Sequence, residues 1–595
     1  MIPSLNLFRQ ALSDQNSGQY LDAIQNYREF LNLVPYQIDA MNNMAVCLIE
    51  LDRSKEAADI LLEALQKGSR DPEILNNLGN ALQQLSQLEK AVGFFESALS
   101  VRPDSTVILL NFSKGLLRIG DYNRALEYLK KAKDLDPNNS SIAFIEAMAL
   151  PIIYESEKEI SIVRNRVMER LDALNGKASQ IADPASAVGQ TNFYLAYQGY
   201  NDKDIQSKIA ETYLKLSPQL KYVSPHCLEQ FRNKAARIKL GFVSSHFGNH
   251  TIGKLFQGLL AGLSQEKFEI FVFYVGFASI SGDHKLEALS DKVDHLIGLP
   301  KNFWDARKAI SDRRLDILYY PDIGMEPLTY FLAFARLART QCASWGHPVT
   351  TGIPTVDYFV SWRIHEPQDY LSHYSEEVKL LGGFCTNYAR PGAPRLAIKR
   401  EQFGWHPSDH LYVCLQSLFK FHPSFDAILW QILKADDRAI IILLEGRQRN
   451  WGRLLRKRFL RIDPTMLERI QFLPRLNNND YLGIISLSDV VLDTPVFSGG
   501  NSSFEALALG KVIVTLAGKY MRGLFTAGLY YQMGLHDLIT STASSYIKLA
   551  LAVATNPKAR AKYETRIKER NHLIFDNDDT IKSHERFFEF VYHRH

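Results

Sequence analysis

Two rhythms of apolar residues divide this chain of 595 residues. In the first quarter, Ala23, Ala57, Ala91 and Ala125 stand 34 apart, and Tyr27, Leu61, Phe95 and Leu129 repeat at the same interval. Ala64, Ala98 and Ala132 fill a third column, and Pro35, Pro103 and Pro137 lie on the same lattice. The spacing predicts a helical hairpin per unit, with small residues where two helices touch and a large apolar knob four residues on. Such a hairpin cannot bury its apolar face alone, so stacked copies must supply the core and wind into a superhelix with a concave groove.

The second rhythm begins at about residue 237, where short runs apolar on both faces alternate with helix-length segments. IKLGFVSS, FEIFVFYVG, LDILYYPD and TQCASWG form one cluster, and LYVCLQS, AIIILLEG, RIQFLP, VVLD and KVIVTLAG form another. Buried parallel strands read this way, and two clusters predict two doubly wound lobes with a cleft between them. The turn-rich GGFCTNYARPGAPRLAIKREQFGWHP separates them. Between the two rhythms the period is lost, and IVRNRVMERLDALNG and QSKIAETYLKLSPQ read as irregular helical connection. The expected organisation is a repeat array over residues 1–150, a helical connecting region over 151–235, a first lobe over 236–395, and a second lobe over 396–595 carrying the terminal helix. The 34-residue unit resembles the tetratricopeptide repeat. The expected fold class is therefore α + α/β, an N-terminal tetratricopeptide superhelix followed by two Rossmann-like lobes.

Composition narrows the function classes. With 69 Lys+Arg against 65 Asp+Glu the net charge is +4, too balanced for a nucleic-acid binder. The basic stretch RQRNWGRLLRKRFLR reads as a solvated helix face. Five cysteines at 47, 227, 342, 385 and 414 form no CxxC pair, which speaks against a zinc ribbon or a disulfide framework. No apolar run approaches a membrane span and no signal-peptide pattern opens the chain, so a cytoplasmic setting is expected. DND at 576–578 has no preceding strand and is read as a chance likeness to a metal-binding DxD.

The chemistry concentrates in VVLDTPVFSGGNSSFEALALGKVIVT, residues 490–515, where a strand ends in Gly499 and Gly500 and passes into Asn501, Ser502, Ser503 and Glu505. Parallel sheets place ligands at the carboxyl ends of their strands, where glycines admit close approach and helix N–H groups are unpaired, so a phosphate is the first expectation. Neither lobe carries GxGxxG or GxxxxGK[ST], which leaves a dinucleotide oxidoreductase and a P-loop ATPase unsupported.

KLGFVSSHFGNHTIGKLF, LDILYYPDIGMEPLTYFLAFARLARTQCASWGHPVTTG, QSLFKFHPS and SDVVLDTPVFSGGNSSFEALALGKVIVTLAG resemble segments of the O-GlcNAc transferase family, glycosyltransferase family 41. GHPVTTGIPTVDYF is similar to the bacterial branch, which includes adhesin N-glucosyltransferases. The resemblance implies a GT-B fold, inversion at the anomeric carbon, a UDP-sugar donor held mainly by the second lobe, and no required metal. It implies that Lys420, after Gln416 and Ser417 in QSLFK, meets the diphosphate, as do Asn501, Ser502 and Ser503. Glu505 would accept from the ribose hydroxyls. Gly500 stands where animal members have His, and Tyr481 falls near another of their histidines. On the first lobe, His250 in FGNHT matches a histidine of the catalytic or acceptor site, His347 in WGHPVTTG matches the bacterial branch, and Asp322 in YYPDIGM ends a strand beside the same cleft.

Asn43, Asn77 and Asn111 recur on the repeat lattice, and their amides are expected to line the groove and grip an extended acceptor peptide. The alternative is that they bond neighbouring repeats. The functional expectation is a UDP-sugar:polypeptide glycosyltransferase modifying Ser/Thr or Asn, with protein acceptors recruited by the repeats. Its rivals are a repeat scaffold whose transferase lobes bind nucleotide without turnover, and a transferase acting on non-protein acceptors.

Overall fold

The computed structural model describes residues 2–174, 179–229, 236–276, 283–383, 386–394 and 398–594. Cys385 and parts of the turn-rich segment between the lobes lie outside these. The chain divides near residue 152 into two compact units.

The first unit is a run of helical hairpins: α1 (Ile2–Asn16) with α2 (Tyr20–Leu33), α3 (Ile38–Glu50) with α4 (Ser54–Gln66), α5 (Pro72–Gln84) with α6 (Leu88–Val101), and α7 (Thr106–Ile119) with α8 (Tyr122–Leu135). The columns of the sequence become its core, since Ala23, Ala57, Ala91, Ala125, Leu61, Phe95 and Leu129 are all fully buried. The turns share the lattice too: Gly18, Asp52, Ser86 and Gly120 each adopt a left-handed conformation, with φ between 59° and 84°. Glycine takes that conformation freely and Asp and Ser pay a modest steric penalty for it. At Gly79 even a methyl group would strike the Phe95 ring, so this small residue sets how closely α5 approaches α6.

The second unit holds two all-parallel sheets. The first runs β3-β2-β1-β4-β5-β6-β7 and the second, β10-β9-β8-β11-β12-β13. In the first sheet the strands are β1 (Ile238–Ser244), β2 (Phe268–Val275), β3 (His295–Leu299), β4 (Leu315–Tyr320), β5 (Ala338–Ser344), β6 (Tyr358–Trp362) and β7 (Glu377–Leu381). In the second they are β8 (His410–Cys414), β9 (Ala439–Leu444), β10 (Ile470–Leu473), β11 (Val490–Leu492), β12 (Ile513–Leu516) and β13 (Ile539–Thr540). Strands β3, β6, β7 and β13 were not among the runs expected as strands. β3 and β7 are edge strands with polar, partly exposed positions, and β13 has only two residues. Edge pairing needs little apolar surface, which is why the pattern is faint there.

Both sheets reverse their strand order once, the first between β1 and β4 and the second between β8 and β11. Ligands of open α/β sheets bind in the crevices outside such reversals. The terminal helix Asp578–Arg594 packs on the first lobe, with Phe588 against Phe242 and Tyr319, and with Glu585 accepting from Ser264 N at 2.9 Å. In the connecting region the turn Phe193–Tyr197 inserts an aromatic cluster between the lobes. Phe193 stacks on His347, while Tyr197 packs on Phe419 and Phe497.

Candidate active site

The two reversals carry nearly all of the candidate residues on the lobes. After β8 the chain enters a short 3-10 turn, Leu418–Lys420, and folds the lysine back over its own strand end. Lys420 Nζ donates to Gln416 Oε1 at 2.9 Å and to Ser498 O at 3.1 Å, and sits 4.8 Å above the centre of the Phe497 ring. Burial lowers its pKa to about 8, although Asp493 nearby favours the charge. A half-buried ammonium held on neutral oxygens is well suited to an arriving anion. Ser417, beside it, is exposed.

After β11 the loop is braced by Asp493, buried at the strand end. Its Oδ1 accepts from Gly499 N at 2.7 Å, and its Oδ2 from the Ser498 and Thr515 hydroxyls at 2.5 and 2.8 Å. Gly499 is required by space: a Cβ there would lie under 3.0 Å from Ser503 Oγ, Ser502 Oγ and Gln416 Nε2. Gly500 faces open space and precedes the helix Asn501–Ala508. Gln416 Nε2 donates to Ser502 Oγ at 2.6 Å, tying the two strand ends together, and Ser503 Oγ pairs with Thr526 Oγ1 at 2.7 Å. Asn501 reaches the first lobe through Nδ2 to Thr251 O at 3.4 Å. Its Oδ1 is buried and finds no partner among the described residues. A carbonyl oxygen in that position calls for a donor such as a hydroxyl and repels a phosphate oxygen.

Glu505 is buried and accepts from Lys254 Nζ at 2.7 Å. Lys254 lies on the helix Thr251–Gly262 of the first lobe, so this ion pair bridges the cleft. Tyr481 and Tyr388 are near enough for the Glu505 charge to contribute to the rise in their pKa values, behind burial as the main cause.

On the first lobe, β1 and β4 bring Asp322 and two histidines together. Asp322 is buried, and its Oδ2 accepts from Ser244 Oγ and faces His246 Nδ1, both at 2.9 Å. His250 caps the helix Thr251–Gly262, its Nδ1 accepting from Ile252 N at 3.3 Å, and its ring centre lies 4.3 Å from that of His246. Burial, reinforced by the neighbouring His246, lowers the His250 pKa to about 4. His347 is set apart from this pair. It is 4% exposed, its Nδ1 is 2.8 Å from Ile323 O, and Phe193 covers its ring. Gly324, at φ +97°, leaves room for that ring, and its carbonyl accepts from Thr191 Oγ1 at 2.6 Å. Burial lowers the His347 pKa as well.

Residues 201–384 and 392–578 match the model of glycosyl transferase family 41, more than half of the chain. The chain belongs to that family. Residues 109–139 match a tetratricopeptide repeat model, and 11–113 match the coatomer epsilon subunit model. Among solved structures, a Thermobaculum terrenum O-GlcNAc transferase mutant superposes with a TM-score of 0.69 at 21% identity, covering 93% of this chain and 97% of its own. That likeness establishes the tetratricopeptide-plus-GT-B fold. An Arabidopsis thaliana protein named a probable UDP-N-acetylglucosamine–peptide N-acetylglucosaminyltransferase is 24% identical over 362 residues, 59% of this chain and 37% of its own length. The UDP-glucose:protein N-beta-glucosyltransferase of Actinobacillus pleuropneumoniae is 24% identical over 319 residues, 51% of this chain and 50% of its own length. The chain thus spans half or less of these curated relatives.

In this family-41 chain, His246, Lys254, Asp493 and the Phe193–Tyr197 wedge adjoin the candidate residues and were not singled out by the motifs. His246 stands in the same quoted segment as His250, at the end of β1, and its position was the available signal. Lys254 and the wedge act across the cleft and leave no local mark in the sequence. The repeat asparagines do not project freely. Asn77 donates to Asn42 Oδ1 and Asn111 to Asn76 Oδ1, each at 2.9 Å, while Asn43 bonds Tyr27. The amides of Asn77 and Asn111 thus link successive repeats. In the basic stretch Arg447, Arg449, Arg453, Lys457 and Arg461 are exposed, in keeping with a solvated helix face, and Lys457 and Arg461 pair there with Glu155. Arg456 pairs with Glu445, and Arg458 departs from the expectation by being buried against Asp426. DND leads into the terminal helix, where Asp578 accepts from Asn387 at 3.3 Å. Among the described residues no three His, Cys, Asp or Glu gather as a metal site, and no helix is long and apolar enough to cross a membrane.

Proposed function

We propose that the protein is an inverting glycosyltransferase that moves a hexose or N-acetylhexosamine from a UDP-sugar to a polypeptide side chain, without a required metal. The observation that carries this reading is the convergence of Lys420 with the start of the helix Asn501–Ala508 at the β8/β11 reversal. As the bond from sugar to phosphate breaks, negative charge grows on the diphosphate, and a preplaced ammonium with helix-end N–H groups stabilises it most at that point. Gln416 and Ser502 hold the cradle's shape, Gly499 and Gly500 let the phosphates approach the backbone, and Ser417 and Ser503 complete its rim. Glu505 takes the ribose hydroxyls, exchanging its contact with Lys254 for them. The unpartnered Asn501 oxygen fits a sugar or ribose hydroxyl better than the phosphates. Asp322, His250 and His347 belong to the acceptor side, and the repeats recruit the protein acceptor in a cytoplasmic setting, through groups other than the amides of Asn77 and Asn111, which are engaged between repeats.

The test is a panel of UDP- and GDP-sugars incubated with purified protein, with and without EDTA, scored for donor hydrolysis and for sugar on protein. UDP-sugar turnover that survives the chelator supports the proposal. A guanine preference or loss of turnover with EDTA contradicts it, and UDP binding without any turnover would favour the scaffold reading.

A further inference from the structure

Three imidazoles lie on the acceptor side of the cleft, and their surroundings differ in a way that separates their roles. His347 is sealed beneath Phe193. His250 spends its Nδ1 lone pair on the backbone N–H of Ile252, and so serves the helix N-terminus. His246 alone of the three has a carboxylate behind it. Its Nδ1 lies 2.9 Å from Asp322 Oδ2, and the side chain keeps 23% of its surface exposed.

The support for that pair is rigid. Asp322 is fixed by the Ser244 hydroxyl, and Ser244 Oγ in turn accepts from the His246 backbone N–H at 2.9 Å. The other groups around the ring are Ser245, with Oγ 3.0 Å from Nδ1 and 3.4 Å from Nε2, the His250 ring, and the Glu326 carboxyl, which is bound to Leu328 N and Thr329 N at 2.8 Å. With Nδ1–H donated to Asp322, the lone pair is on Nε2. The donor side is close by: Thr251, next to His250, receives Asn501 through its carbonyl.

We propose that His246, oriented by Asp322, is the general base of the transfer, and that the acceptor it serves is a hydroxyl of Ser or Thr. The assignment rests on the transferase reading above. In the step, an oxygen lone pair of the acceptor forms the new bond to the anomeric carbon while His246 Nε2 takes the hydroxyl proton. The bond from that carbon to the phosphate oxygen breaks, and its electron pair leaves on UDP towards Lys420. Asp322 stabilises the imidazolium, which later returns its proton to water. One neutral imidazole suffices for a hydroxyl, whose oxygen keeps a free lone pair. It does not suffice for an Asn amide, whose nitrogen lone pair is delocalised into the carbonyl. His246 is thus the catalytic residue, and Asp322 a positioning residue.

The experiment uses the full chain, UDP-GlcNAc and UDP-glucose, and degenerate peptide pools with a fixed central Ser, Thr or Asn. Sugar is expected on the Ser or Thr pools. His246→Ala is expected to lower transfer by roughly 10²–10⁴-fold, with UDP affinity by calorimetry unchanged within about twofold, and added imidazole should restore part of the rate. Asp322→Asn should lower kcat at an unchanged donor KM, without rescue by imidazole. Undiminished transfer by His246→Ala, loss without imidazole rescue while UDP still binds, or sugar on the Asn pool would each overturn the inference. Failure of the unaltered protein to bind UDP would instead remove the transferase reading beneath it.

Discussion

Replacing Lys420 by Met keeps the aliphatic stem over Phe497 and removes only the ammonium, so it isolates the proposed electrostatic role. In the free protein the charge is costly to hold. A fall from the ordinary 10.5 to about 8 corresponds to about 3 kcal/mol of disfavour for the ammonium. The variant is therefore expected to melt no lower than the parent. A phosphate about 4 Å away returns about 4 kcal/mol per unit charge at an effective dielectric near 20. Part of this is lost in desolvating the phosphate, which leaves a net of about 2–4 kcal/mol, or roughly 30- to 1000-fold in UDP affinity. Calorimetric titration with UDP, beside a thermal melt of the same sample, measures both quantities. A variant that binds UDP within about threefold of the parent, with its fold intact, would refute the reasoning.

The same lysine gives a pH signature with opposite signs in two observables. UDP favours the ammonium form, so its affinity should hold below pH 7 and weaken as pH rises through about 8. The unfolded chain keeps this proton up to about 10.5, so the group's contribution to stability of the free protein should rise between those pH values, as urea titrations at several pH values would show. In the repeats, Asn76→Ala would leave the Asn111 amide without its 2.9 Å partner. About 1 kcal/mol of local stability should be lost, read as faster amide exchange in α5 and α7, with donor hydrolysis unchanged. In the second lobe, Arg458→Ala strands the Asp426 carboxylate in the core, and a loss of about 3–5 kcal/mol is expected in denaturant unfolding.

The parts of the molecule that were legible in the sequence share a physical origin. A repeat lattice and strands buried on both faces force apolar residues into fixed spacings, so the array and the central strands of both sheets declare themselves. The left-handed turns at Asp52 and Ser86 are part of the same lattice, but their residue types hide it. The proposed donor side lies in segments that the sequence singles out, because one loop and one strand end contain most of it, with Gly499 constrained by close approach. The acceptor side is less local. His246 becomes distinctive only when β4 brings Asp322 to it from 76 positions away, and Lys254 only when Glu505 faces it across the cleft from 251 away. His347 shows the converse: its motif draws attention, while a wedge from the connecting region buries it. Spacing likewise identified the repeat asparagines, yet the bonds of Asn77 and Asn111 run to Asn42 and Asn76, neighbours that only the stacking defines.

A crystal structure of the full chain with UDP is the most direct test of the donor site. The account predicts the diphosphate within hydrogen-bonding distance of Lys420 Nζ and of the backbone N–H groups at Asn501, Ser502 and Ser503, with a ribose hydroxyl on Glu505 in place of Lys254. UDP bound elsewhere, or a diphosphate held away from Lys420, would contradict it.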